Sequence, residues 1–190
     1  LKTWCPIRRK RGTIVQSRGL SGVTFILIAL GLSAGGCIIH TDGWWPQANV
    51  ERTVELEHPL QAGATLAVGT ASGSIHIAGQ EVDQAHVVAT ISARAATEEE
   101  AQELAEQVII RFEQSPGKLQ IKADRPRQRK RQSVSISYQI IAPRQSHIQC
   151  NSASGSLHVT DLTGNIDAHA ASGSVEATQI TGSVNLRAAS

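Results

Sequence analysis

The chain has 190 residues, enough for one ordinary domain plus a targeting segment, with a formal net charge of +2 and aromatic residues at only 3%. Charge this balanced excludes the overall character of a nucleic-acid binder or of an acidic solvating chain. The large apolar residues are mainly Ile, Leu and Val among abundant Ala, Gly, Ser and Thr, which predicts a β-rich protein with many tight turns and a thin core extended by stacking.

The first 40 residues read differently from the rest. Arg8, Arg9, Lys10, Arg11 and Arg18 form a basic flank, no residue from Gly19 to Ile39 is charged, and "VTFILIALGL" (23–32) is the apolar centre. That layout predicts an export signal over residues 1–36. "SAGGC" (33–37) follows and resembles the lipobox of bacterial lipoproteins, with Ala34 where the pattern prefers Leu. The resemblance implies cleavage before Cys37 and its diacylation, a two-chain anchor of the kind that makes membrane attachment stable. A cleaved soluble signal and a retained membrane helix are the alternatives. Cys5 lies in the segment to be removed and Cys37 would carry lipid, so Cys150 is left alone, without a partner for a disulfide or a metal cluster. Residues 37–50 read as a tether, with Trp44 and Trp45 placed to sit at a membrane interface or to pack on the first strand.

Residues 51–190 are expected to form one domain. "ERTVELEHPL" (51–60) alternates and reads as a half-buried strand, and "TLAVGTASGSIHIAG" (65–79) as two short strands around Gly73. In "AHVVATISAR" (85–94), Val87, Ala89, Ile91 and Ala93 share one face. The period then changes: "TEEEAQELAEQV" (97–108) carries Thr97 with Glu100 three residues on, a capping box, and Ala101, Leu104, Ala105 and Val108 at helical spacing. Its glutamates read as a solvated face. Strands resume at 108–114, 118–123 and 133–143, the last burying Val134, Ile136, Tyr138 and Ile140. Between them "DRPRQRKRQ" (124–132) concentrates Arg125, Arg127, Arg129, Lys130 and Arg131. The plain reading is a solvated hairpin loop that keeps an edge soluble, and the functional one is a polyanion-binding patch for anionic lipid or a surface polymer.

From Ser154 onward glycine recurs every nine residues, at Gly155, Gly164, Gly173 and Gly182, each preceded by Ser or Thr. The second and fourth positions after it are apolar (Leu157 and Val159, Ile166 and Ala168, Val175 and Ala177, Val184 and Leu186) and the third is polar, so each unit is a turn followed by a short in-out-in strand. The seventh position alternates large and small, Leu162, Ala171, Ile180, Ala189. The true period is therefore eighteen residues, two unlike halves of nine. Such a unit cannot bury its own apolar side, and stacking copies joins those sides into one core. The expected fold is all-β, a single-domain parallel β-solenoid-like stack of eighteen-residue coils, with the one short helix in an inserted side layer. The glycines, Gly73 of the upstream "ASGS" included, serve the corners, where positive φ is cheap for them. The repeat runs to Ser190 without an atypical capping unit, which predicts that the pattern continues past it or leaves an open edge for another molecule.

The order of "VELEHP", "LAVGTASGSIHIAG", the long strand, "TEEEAQELAEQV", "SYQIIAPRQSHIQCNSASGSLHV" and the Ser/Thr-Gly repeats resembles the bacterial putative-adhesin family of β-strand-repeat domains over residues 50–190. The resemblance implies an exported or membrane-attached envelope protein with a solenoid-like body and no shared enzymatic activity, in some members associated with envelope stress. It points to a non-enzymatic envelope lipoprotein with a structural or interaction role. The alternative is a stress-response accessory or sensor that binds anionic lipid or polymer through 125–131.

Chemistry is sparse. Calcium-binding β-rolls need paired glycines and a turn aspartate, whereas each turn here has one glycine, and only Asp161 and Asp167 occur in the repeat. His158, His169 and Glu176 could be imagined as a zinc site, but alternating strand faces argue against their convergence. The periodic serines have a structural reason, so no catalytic residue, metal site or cofactor is nominated, and no nucleic-acid partner is expected.

Overall fold

The computed structural model describes residues 47–189. The signal segment, Cys37 and the Trp44–Trp45 pair lie outside the described residues. Twelve strands and one helix follow in the order β1 (Ala48–Pro59), β2 (Thr65–Ser72), β3 (Ile75–Gln80), β4 (Gln84–Ala95), α1 (Glu98–Glu106), β5 (Ile109–Ser115), β6 (Lys118–Asp124), β7 (Ser133–Pro143), β8 (His147–Ser154), β9 (Leu157–Thr160), β10 (Ile166–Ala170), β11 (Val175–Thr178) and β12 (Val184–Ala188). The described residues are all-β apart from α1. The strands form two six-stranded sheets, β1-β4-β7-β3-β9-β11 and β5-β6-β2-β8-β10-β12.

Both sheets are mixed, which corrects the expectation of a parallel stack throughout. In the repeat the pairing is parallel with an eighteen-residue register: Ile148, Ile166 and Val184 stand side by side in the second sheet, and Leu157 pairs with Val175 in the first. Strands β2 and β3 join the same parallel rows beside β8 and β9, so the upstream "ASGS" is a rung of the same architecture. Segment 84–143 lacks the nine-residue Ser/Thr-Gly corner, yet its strands β6 and β7 pair parallel with β2 and β3 and extend the same two rows. Its strand β4 pairs antiparallel with both β1 and β7. Strands β5 and β6 form a hairpin across Pro116–Gly117, where Gly117 takes φ +72°, and so short a turn leaves only antiparallel pairing.

The core lies between the sheets. Val87, Ala89, Ile91 and Ala93 of β4 are fully buried, as are Ile136 and Tyr138 of β7 and Val159 and Ala168 of the repeat. In α1, Thr97 accepts a hydrogen bond from the Glu100 backbone N–H at 3.2 Å, and Ala101, Leu104 and Ala105 are buried. The helix packs on β1 and β4, and His58 of β1 meets Phe112 of β5 edge-on at 5.1 Å between ring centroids. The ring pair links the β1 and β5 edges of the two sheets.

The corner glycines are stacked on one another. Gly73, Gly155 and Gly173 all have positive φ, and a Cβ on Gly155 would collide with the carbonyl of Gly73, as one on Gly173 would with that of Gly155. Gly182 also has positive φ. Gly164 does not, and its requirement is a close approach instead, since a Cβ there would collide with the Ser146 carbonyl. Beside the corners, Ser174 donates to Ser156 across one rung at 3.1 Å.

Candidate binding groove

The outward residues of the second sheet fall into columns that run along the stack, across the strands. One column is Gly69, Asn151, His169 and Arg187, which are register partners from β2 to β12. At the strand ends the alanines of the "AS" phrases form another: Ala71, Ala153, Ala171 and Ala189. Strand β6 and the start of the following loop supply a wall of Gln120, Lys122, Ala123 and Arg125. Together they enclose an open groove of about 830 Å³.

The large–small alternation at the seventh repeat position has its cause here. Leu162 is buried and Ile180 packs against the core, filling the corner on one side of the coil. Ala171 and Ala189 occupy the opposite corner, where they face out and floor the groove. A large side chain there would fill it.

All four ionisable side chains lining the groove are basic: Lys122, Arg125, His169 and Arg187. Two of them have carboxylate partners. Lys122 Nζ lies 2.6 Å from Glu113, and this hydrogen bond leads the causes that hold the Glu113 carboxyl below its ordinary pKa. His169 Nε2 lies 3.0 Å from Asp167, which also accepts from Asn185 at 2.7 Å. Arg125 and Arg187 form no ion pair among the described residues. Arg125 Nη2 donates to Thr70 Oγ1 at 3.2 Å, which anchors the guanidinium at the groove wall.

The basic loop is not one patch. Arg125 turns to the groove, whereas Arg127 and Arg129 line a cavity of about 210 Å³ with Glu100 and Glu103 of α1. Lys130 and Arg131 are exposed, and Arg131 takes φ +70°. The candidate zinc residues are not brought together either. His158 Nδ1 contacts Glu176 at 3.2 Å on the first sheet, and the His158 ring stands 5.7 Å from that of His76 on the adjacent rung, while His169 belongs to the second sheet. Among the described residues no three His, Cys, Asp or Glu side chains are grouped to hold a metal ion. The repeat glycines occupy corners and Cys150 lies in the core, where burial pushes its thiol up to about 12.

Sequence reasoning missed Gly69, Lys122, Asn151 and Arg187. The signal was present: Gly69, Asn151 and His169 each precede a corner glycine by four residues, and positions 151, 169 and 187 are eighteen apart. The pairing of β2 with β8 puts Gly69 beside Asn151, and only the hairpin adds Lys122.

No protein-family model matches the sequence, and no curated protein does. Solved structures similar to this one include a putative cell adhesion protein from Clostridium sporogenes, 9% identical over 72% of this chain and 99% of that one, with a TM-score of 0.35. Others are a putative adhesin from Bacteroides fragilis (16% identity, 71% and 61% covered, TM-score 0.33) and a putative lipid binding protein from Parabacteroides distasonis (12%, 72% and 61%, 0.35). Scores at this level do not establish a common fold.

Proposed function

We propose that the chain is a non-catalytic binding module of the bacterial envelope, and that it meets its partner with the outer face of its second sheet. The observation that carries this reading is the groove, whose ionisable lining is entirely basic and includes two guanidinium groups with no carboxylate partner among the described residues. Outward columns on stacked rungs are a rigid way to present such groups, because each strand is hydrogen-bonded to the next. The parallel eighteen-residue rungs serve, in this reading, as a short solenoid that displays the face. The export signal and acylated Cys37 expected from the sequence would hold that face at the membrane.

Arg125 moves the anion-binding role from the 125–131 loop to the groove. In a sedimentation assay with purified bacterial envelopes, the Arg125→Gln/Arg187→Gln double variant should lose retention while its melting temperature stays unchanged. Replacing Arg127, Arg129 and Lys130 with Gln should leave retention intact. If the loop variant loses retention and the groove variant keeps it, this reading is wrong and the loop is the binding element. Fatty-acid labelling of the intact chain, lost on Cys37→Ser, tests the anchor separately.

A further inference from the structure

Gly69 is an outlier among the glycines. It sits inside β2, between Val68 and Thr70, where glycine weakens a strand by about 0.5–1 kcal/mol relative to alanine. Its φ is not positive, and an added Cβ would meet only the Asn151 carbonyl oxygen at 3.6 Å, an ordinary contact. Gly79 of β3 shows the contrast, since a Cβ there would collide with the Asp161 carbonyl. Neither backbone conformation nor packing accounts for Gly69. What the missing side chain does is keep the groove open between β6 and β8. A glycine inside a strand marks a bulge, a bend or the close approach of a ligand or another backbone; the register of β2 with β8 runs unbroken through Gly69, which excludes a bulge on that side.

We infer, resting on the binding-module reading, that the groove holds a linear anionic polysaccharide laid along the stack, its acidic groups on Arg125 and Arg187 and its chain passing over Gly69. Shape and charge select this class together. The groove crosses β6, β2, β8, β10 and β12, a span of roughly 19 Å at the spacing of neighbouring strands, longer than a single lipid headgroup. The two guanidiniums, without a carboxylate partner among the described residues, stand toward its opposite ends, matching acidic groups repeated along one chain. Between them Asn151 and Gln120 offer amides to hydroxyl groups, and the alanine floor admits a flat ring. An extended peptide would bind a sheet through unpaired backbone groups; β8 and β10 under this groove are paired on both sides, and only the short gap where β2 and β6 part beyond Val68 and Ile121 is open to one, which the polyglutamate arm of the test probes. A membrane surface is flat and meets a projecting basic patch more readily than a recessed one.

The test uses the full chain and titrates polygalacturonate, a linear polyuronate, with dextran, polyglutamate and phosphatidylglycerol vesicles as the competing probes. Polygalacturonate should bind, dextran should not, and affinity should fall as salt rises. Arg187→Gln and Arg125→Gln should each weaken binding about tenfold, the usual loss for one charge-assisted hydrogen bond. Gly69→Phe should weaken it at least as much without lowering the melting temperature, because the ring projects from the sheet into the groove. Should Gly69→Phe unfold the chain, the two arginine variants decide. Polygalacturonate binding that all three variants leave unchanged puts the polymer elsewhere on the chain and overturns the groove as its binding face. Failure of polygalacturonate to bind overturns the polysaccharide. If polyglutamate or vesicles bind instead, and lose binding in Arg187→Gln, the ligand class is wrong and the binding face stands.

Discussion

Two buried side chains at the centre of the molecule carry groups that gain nothing from their surroundings. The Tyr138 hydroxyl is buried without a hydrogen-bond partner, and burial pushes its pKa up to about 12, against a smaller opposing pull from Arg125. Burial alone does the same to Cys150, from 9.0 to about 12. Both are acids whose folded pKa lies above the unfolded one. Below about pH 7 they are neutral in both states and impose no pH dependence. As pH rises toward 12 the unfolded chain gives up these protons first, so the unfolded state gains and stability falls by several kcal/mol. Chemical denaturation from pH 8 to 12 should show that loss, and Tyr138→Phe should flatten its upper part. At neutral pH the same variant should be neutral or stabilising by up to about 1 kcal/mol, since an unpartnered buried hydroxyl costs rather than contributes. Equal alkaline loss in wild type and variant would mean the phenol is not the titrating group.

At the scale of elements, the helix shows how much of the fold is legible in sequence. Its start is written locally, in Thr97 and the glutamates of the first turn. Its end is not, because no basic residue lies in the last turn. The carbonyls of Ala105, Glu106 and Val108 are met instead by Arg52 Nη1, from a strand some fifty residues earlier, at 3.0, 3.4 and 3.1 Å. Arg52 occupies an inward position of β1 beside Val54, where alternation alone predicts an apolar residue. Arg52→Ala should therefore destabilise the domain by about 1–3 kcal/mol, with Arg52→Lys recovering part of it. A loss below about 0.5 kcal/mol in urea unfolding would show that water satisfies these carbonyls as well. The same contrast runs through the rest of the chain. Strands 65–79, 85–94 and 133–143 and the eighteen-residue register are readable because alternation and glycine spacing are local. The antiparallel pairing of β1, β4 and β7 is not, because no turn joins those partners. The groove was half legible: its alanine column sits in the repeat as an unexplained small residue, but the arginine facing it comes from a loop whose charges look alike in sequence and diverge in space.

Over the whole molecule, the two kinds of sheet imply unequal local stability. A stack of short parallel rungs is held by nearest-neighbour contacts, and each rung buries only a few side chains. Strands β9 and β10 have four and five residues. Strands β4 and β7 have twelve and eleven; they pair with each other over nine positions, β4 also pairs with β1 and β7 with β3, and both bury their inward faces completely or nearly so. Local opening of a rung breaks few bonds, whereas opening β4 or β7 breaks two ladders and exposes the centre of the core. Amide hydrogen exchange followed by mass spectrometry should accordingly be slowest over 85–95 and 133–143 and faster over 157–160 and 166–170, with the difference persisting at low denaturant. Uniform protection across these four segments would show that the repeat and the antiparallel part open as one unit, and the corner glycines would then be coupling the rungs more tightly than their short strands imply. The gradient matters for binding. Lys122 and Gly69 lie on β6 and β2, whereas His169 and Arg187 lie on β10 and β12, so a ligand spanning the groove would tie the short rungs to the longer strands. Added polyanion should then slow exchange over 166–170, the short strand that lies between the two ends of the groove.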